Sequence, residues 1–424
     1  MPKTPKRSKK NSTPEPEELE PSVTDEAPVE PVIEPEPVPV IDESKTALQK
    51  RSKTESTTPT PTIVRQESKP KATPKKRMPL WAWLVIALVG LAGASVAGYL
   101  VFTSPEATTN TNTPIVRNTN TVAETAPRLV DGVLVSPSKT NPNLAAVMIE
   151  NSSDARPPSS LENASVVYEA LAEGGITRFL AILTSDAATT EIGPVRSARP
   201  YFVDWASEYN RPLYVHAGGS PQALDLLRSS KTTVVDFNQF INGPYFYRDK
   251  TRRRPHDLYL TPEKLFLAIR AKAEGVIPSF TGWAFADEPG IDARPETVND
   301  IVVKYSSLSY QATYSYDRAL NVYRRSLGGQ PHVTRAGSPI TAKNVIVQFV
   351  KTGLYPKETQ RLKMDTVGEG KAYIFRNGQT IIGSWKKDAT ANRTMFYDEA
   401  GQPVVFARGN TWISVVPTDR TVTY

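Results

Sequence analysis

Cysteine is absent from this 424-residue chain. That excludes disulfides, thiolate metal sites, a cysteine nucleophile and a lipid-modified N-terminal cysteine. A folded part outside the cell must then rest on an ordinary hydrophobic core, which about 280 residues can supply without staples. Histidine is scarce too: His216, His256 and His332 are spread over more than a hundred positions, with no His-x-x-x-His pair. This spacing gives no reason to expect a metal. No phosphate loop or nucleophile elbow is present either, so no cofactor is expected. The net charge of +7 is mild for this length. Without a basic stripe or an aromatic platform, nucleic acid is not an expected partner.

Proline is abundant, with 37 copies crowded towards the first third. Residues 1–79 read as a disordered cytoplasmic tail, basic from Lys3 to Lys10 and Pro/Glu-rich around Glu34-Pro35-Glu36-Pro37. It has too few large apolar side chains to offset chain entropy. It serves as a plain spacer or as a Pro-rich docking peptide. Leu80 to Phe102 is an uncharged run long enough to cross a bilayer as one helix. Trp81, Trp83 and Tyr99 sit near its ends, and Lys71, Lys75, Lys76 and Arg77 precede it with no comparable cluster after it. The run is too long and too far from Met1 for a cleaved signal peptide. The expectation is a single-pass membrane anchor, N-terminus cytoplasmic, with everything after Phe102 outside. Residues 103–143, rich in Thr, Asn and Pro, read as a flexible stalk.

From Asn143 the texture changes. Ala145 to Glu150, Ser165 to Tyr168, Arg178 to Thr184, Leu213 to His216 and Val234 to Asp236 are short apolar runs bounded by Gly, Pro, Asn and Ser, which predicts strands. Tyr201 to Tyr209, Pro221 to Leu227 and Thr261 to Ala273 read as helices, the last two with Ser220 and Thr261 as caps and Pro at the first helical position. After a Pro/Gly/Asp-bearing connection at Asp287 to Asp300 the runs are strand-like to the end, with hairpin signals at Asn377-Gly378 and Ala400-Gly401. The expected fold class is α+β. A mixed α/β subdomain at 144–290 is followed by a mainly antiparallel β subdomain at 300–424.

The stretch Glu169 to Asp204 holds Arg178, Arg196 and Arg199. Arg196 and Arg199 lie on a Gly- and Pro-bounded loop before a helix, suited to hold a phosphate, carboxylate or sulfate. The plainer reading pairs the arginines with Glu169, Glu173 or Asp204 as internal struts. His216 ends a strand and precedes Ala217-Gly218-Gly219-Ser220, the place where α/β layers bind ligands, though a lone histidine is more often structural. Tyr247 to Tyr259 brings Arg248, Asp249, His256 and further basic residues into one segment, either a solvated loop or a binding rim for an anionic polymer or lipid head group. Carboxylate pairs for glycoside hydrolysis are not resolvable from sequence among Glu169, Glu173, Asp204, Asp236 and Asp257. Trp385 and Trp412 are either a sugar-stacking platform or are buried between β layers.

Several segments resemble the bacterial DUF3048 or YerB-like family, whose members are described as lipoproteins and whose function is uncharacterised. They are Ala155 to Pro157, Val167 to Glu169, Glu173 to Ala181, Gly193 to Pro200, His216 to Ser220, Tyr247 to Asp249, Pro255 to Tyr259 and Gly409 to Ile413. The resemblance spans about residues 144–424 and implies an N-terminal and a C-terminal subdomain but no activity. Here the anchor is a helix in place of a lipidated cysteine. In layout alone the chain also resembles the LytR-CpsA-Psr phosphotransferases, whose diagnostic Asp and Arg spacing is not clearly present. The expected function is binding of an anionic cell-wall glycopolymer or envelope partner through Arg178, Arg196, Arg199, His216, Arg248, Asp249 and His256. The alternative is an enzyme, a phosphotransferase or hydrolase, acting on wall polymer or its lipid-phosphate precursor.

Overall fold

The computed structural model describes residues 124–273, 275 and 278–424. The tail, the membrane span expected at Leu80 to Phe102 and the first half of the stalk lie outside the described residues. Among the described residues no helix is long and apolar enough to cross a membrane.

The fold is α+β and dominated by strands. In chain order these are β1 (Leu144–Glu150), β2 (Val166–Leu171), β3 (Thr177–Thr184), β4 (Leu213–His216), β5 (Val235–Asn238), β6 (Ile301–Lys304), β7 (Gln311–Asp317), β8 (Val322–Leu327), β9 (Asn344–Val350), β10 (Gly368–Arg376), β11 (Gln379–Lys387), β12 (Met395–Asp398), β13 (Thr411–Pro417) and β14 (Val422–Thr423). The helices are α1 (Pro200–Ser207), α2 (Pro221–Arg228) and α3 (Pro262–Ala273). Ten strands form one sheet in the order β12-β11-β10-β9-β13-β2-β3-β1-β4-β5. A second sheet runs from Gln330–Pro331 through β8, β7 and β6 to β14.

Five strands from each side of residue 300 therefore build the large sheet, and the two groups meet where β13 joins β2. β13 lies parallel to β9 on one side and parallel to β2 on the other, with Trp412 opposite Val167 and Ser414 opposite Glu169. The expected N- and C-terminal halves share hydrogen bonds along this seam. Every residue of β1, β2, β9 and β13 is buried, as their near-continuous apolar runs require of a sheet covered on both faces. Each fully buried Val, Leu or Ile among them contributes about 1.5–3 kcal/mol. Trp385 and Trp412 are buried as well, and Trp385 donates its indole N–H to the Phe349 carbonyl at 2.8 Å. They make no sugar platform.

The flexible stalk expected up to residue 143 is corrected in its second half. Ala126–Pro127 pairs with Leu134–Val135, Val130 is buried in the core, and Asp131, 3% exposed, accepts hydrogen bonds from Arg128 and from Ser165 Oγ at 2.6 Å. The short sequence Leu129-Val130-Asp131-Gly132 supplies enough apolar and paired polar contact to order it, inside a composition that reads as linker.

Successive residues of β2 point to opposite faces of the sheet. Tyr168 stacks on Trp205 of α1 with ring centroids 5.5 Å apart and donates its hydroxyl to Glu208 at 3.1 Å. Glu208 also takes Lys387 Nζ at 3.0 Å, Arg393, and both the amide and hydroxyl of Thr394. On the other face Glu169 accepts from Arg325 Nη2 at 2.6 Å, Thr177 Oγ1 at 2.8 Å and Trp412 Nε1 at 3.2 Å. Arg325 in turn donates to His332 Nδ1.

Burial, and after it the charges of Arg325 and Arg156, push His332 well below the ordinary imidazole value of 6.5. The unfolded chain takes up this proton below about pH 6.5 and the folded chain does not. Stability is therefore full above that pH and falls as pH drops, by about 1.4 kcal/mol per unit from this group. Urea midpoints measured from pH 7 to 5 are expected to fall more steeply for the wild type than for His332→Gln. Equal slopes would remove His332 as the cause.

Candidate functional site

β1, β4 and β5 run parallel, so their carboxyl ends bring Glu150, His216 and Asn238 to one edge of the sheet. Beyond β4 the chain must turn at once into α2. Gly218 takes φ +63°, and a Cβ there would sit 2.8 Å from the Phe240 ring, so only glycine fits without displacement. The loop Gly193 to Arg199 is laced between these ends. The Arg196 amide donates to Met148 O, its carbonyl accepts from Ala217 N, and Ala198 N donates to Gly218 O. On the far side Val195 N donates to Leu258 O, in the hairpin formed by Tyr247–Arg248 and Leu258–Tyr259. Together they enclose a cleft of about 440 Å³, its wall including Arg196, Ser197, Gly219, Phe240, Arg248 and Pro255.

Arg196 brings its Nε to 2.9 Å from Glu150 Oε1, off the line of a hydrogen bond. Among the described residues its guanidinium makes no hydrogen bond, and the side chain is 26% exposed. Its terminal N–H groups are available to an anion in the cleft. Arg248, 40% exposed, is held by Asp257 Oδ1 at 2.5 Å. Glu150, 4% exposed, also accepts from His256 Nδ1 at 2.9 Å and from Ser152 Oγ at 3.1 Å. Ser152 Oγ lies 3.3 Å from the same Nδ1. With Nδ1–H committed to a carboxylate, the lone pair of the neutral ring is on Nε2, which makes no hydrogen bond among the described residues.

The other expected site residues are turned inward. Arg199 embraces Glu173 with two nitrogens, Nη2 at 2.5 Å, and gives Nη1 to Ala198 O at 2.6 Å. Arg178 lies 3.6 Å from the same carboxylate and donates to Ser197 O at 3.2 Å. Burial, then the neighbouring Arg199 charge, push Arg178 down to about 10. Burial opposes ionisation of Glu173, but the bonds and charges of Arg199 and then Arg178 outweigh it and hold the carboxyl below its ordinary value. His216 is fully buried, with Nδ1 at 2.7 Å from Gly218 O and Nε2 at 2.6 Å from Asp236 Oδ1. Both nitrogens are committed to the turn and to β5, so this ring is not a free base. Asp249 pairs with Arg335 and accepts from Thr251 N at 2.8 Å, which fastens the hairpin to the C-terminal half.

The structure thus brings Arg196, Arg248 and, through Glu150, His256 together. Arg178, Arg199, His216 and Asp249 brace the loops around them. Glu150, Ser152 and Phe240 were not singled out in the sequence. Glu150 carried a signal, a lone carboxylate closing a seven-residue apolar strand. Among the described residues no group of three or more His, Asp or Glu is placed to hold a metal ion.

Comparison with known proteins places this geometry in context. The model described as "Protein of unknown function (DUF3048) N-terminal domain" matches residues 132–275, and the corresponding C-terminal domain model matches residues 301–413. A Bacillus subtilis protein named "Putative lipoprotein YerB" is 31% identical over 303 residues, covering 70% of this chain and 88% of that one. The crystal structure of YerB from Bacillus subtilis superposes with a TM-score of 0.62 at 27% identity, over 70% of this chain and 99% of that one.

Proposed function

The chain belongs to the DUF3048 family, and from that premise we propose that it is a membrane-anchored, extracytoplasmic envelope protein that binds an anionic cell-wall glycopolymer or envelope partner in the cleft at Arg196 and Arg248. The anchor is the apolar run Leu80 to Phe102, with the N-terminus cytoplasmic. It takes the place of the lipid that the name of the Bacillus relative implies, since this chain has no cysteine to carry one. The observation that carries the binding reading is Arg196: its backbone is pinned on two sides, while its guanidinium faces the cleft with donors unspent. Such donors recognise phosphate or carboxylate groups by charge-assisted bonds.

The test is retention on purified cell wall. Arg196→Ala is expected to weaken retention at least about thirtyfold, as loss of a charged hydrogen-bonding partner does. The thermal midpoint falls too, since buried Glu150 loses a cation, and Arg196→Lys separates the two effects by keeping the charge beside Glu150. Retention should also fall as salt rises. Unchanged retention in both Arg196→Ala and Arg248→Ala would sink the assignment.

A second reading has its own observation. Glu150 orients His256 as a carboxylate orients a general base, which supports a phosphotransferase or hydrolase acting on wall polymer or its lipid-phosphate precursor. On that reading His256→Gln abolishes turnover of a labelled wall precursor with retention intact. His256, not His216, is then the base.

A further inference from the structure

We infer that the face of the fold around Phe240 and Ile241 docks on an anionic lipid bilayer. These two side chains are 76% and 78% exposed, and a short way along the chain Phe266 and Leu267 of α3 are 48% and 49% exposed. The segment that follows the first pair meets the helix that carries the second. Pro244 and Tyr245 line a groove with Lys264, Leu267 and Arg270, while Phe240 walls the cleft beside Arg248 and Pro255. Large apolar side chains raised this far into solvent on adjoining segments are rare in a monomer and mark a contact surface.

The charge around the patch selects the occupant. Arg248, Lys250, Arg253 and Arg254 are exposed on the loop beside it, Arg254 at 80%, and Lys264 on α3 is exposed. The acids of the loop are spent: Asp257 lies buried under Arg248 and Arg254, and Asp249 is bound to Arg335. Asp236 is taken by His216, leaving Glu263 as the exposed acid on α3. Apolar tips ringed by cations match the interface of an anionic bilayer, where aromatic and branched side chains sit at the head-group boundary and basic ones meet lipid phosphate. A protein partner would need its own apolar hollow and acidic rim. The inference rests on the anchor reading. About 20 residues separate Phe102 from the described fold, roughly 70 Å of extended chain, so the face stays within reach of the bilayer that holds the anchor.

The absence of cysteine makes a direct test available. A single Ile241→Cys in the full chain takes an environment-sensitive fluorophore at that position alone, and Leu320→Cys, 58% exposed and held beside Lys343 in the C-terminal half, serves as control. Each protein is reconstituted into nanodiscs of phosphatidylglycerol or of phosphatidylcholine, with flotation to report incorporation. The expected result is blue-shifted emission at position 241 in phosphatidylglycerol discs, little shift at 320, and a signal that weakens with salt. Neutralisation by Arg253→Gln or Arg254→Gln is expected to weaken docking about fivefold per side chain. A chain that floats with the discs but shows no shift at 241, or equal shifts at 241 and 320, overturns the docking and leaves the anchor standing. An equal shift in phosphatidylcholine discs overturns the anionic requirement. A chain that does not float overturns both readings. Retention of soluble wall polymer by Arg196 is scored separately, so failure of the cleft assignment is distinguishable from failure here.

Discussion

Replacing Glu169 by alanine is expected to remove about 3–5 kcal/mol of stability, the cost of leaving a buried charge without its partner. Glu169 is fully buried and Arg325 is 1% exposed. Arg325 is also boxed in by aromatic rings, its guanidinium 4.5 Å from the centroid of Trp412 and 5.7 Å from that of Tyr314. Burial alone would push Arg325 down, but the Glu169 charge, with Tyr314 and Tyr305 adding to it, outweighs burial and holds the guanidinium above its ordinary value. With the carboxylate gone, Arg325 keeps its charge and loses what compensates it, and Trp412 Nε1 and Thr177 lose an acceptor. Since whole domains are stable by about 5–15 kcal/mol, Glu169→Ala should move the urea midpoint by a large fraction of its range. Glu169→Gln should fall between, because it keeps the shape and part of the hydrogen bonding. A loss below about 1 kcal/mol would show that water or a rotamer change rescues Arg325. Replacing Glu169 and Arg325 together by apolar residues of similar volume should cost much less than the single change.

This pair also shows where sequence stops being informative. Arg325 follows Arg324 and was not singled out in the sequence, yet β8 alternates, and Tyr323, Arg325 and Leu327 share its inward face. No local pattern marks that a glutamate 156 residues earlier meets it. The strands themselves were readable from branched apolar runs, and the turn at Asn377-Gly378 from its dipeptide. The pairing of β13 with both β9 and β2 was hidden, because parallel partners are chosen by packing at a distance and leave no local mark. The candidate site was half legible for the same kind of reason. Sequence could place Arg178 at the start of a strand and Arg196 and Arg199 on one loop, but whether an arginine is free depends on where the carboxylates fall. Glu173 consumes Arg178 and Arg199. Glu150 leaves Arg196 with donors to spare.

Expressed alone, residues 124–290 are expected not to fold cooperatively, even though a family model is satisfied within them. The reason lies in β2, where Val167, Tyr168 and Glu169 each need a partner from beyond residue 300. Cutting the chain at Gly290 removes β13, so the backbone of Val166 to Glu169 becomes an open edge in what was the middle of a ten-stranded sheet. On one face Glu169 loses Arg325 and Trp412. On the other Glu208 loses Lys387, Arg393 and Thr394, which supply every hydrogen bond it receives apart from that of Tyr168. Two fully buried carboxylates without cations cost several kcal/mol each, which by itself meets or exceeds the stability of a typical domain. The fragment should therefore show no sharp urea transition by circular dichroism, and its amide proton spectrum should be poorly dispersed. Adding residues 291–424 in trans should restore both signals. A fragment that unfolds in a single steep transition by itself would mean that the seam along β2 is a docking interface between two autonomous domains, and the two buried charge networks would then have to form after folding.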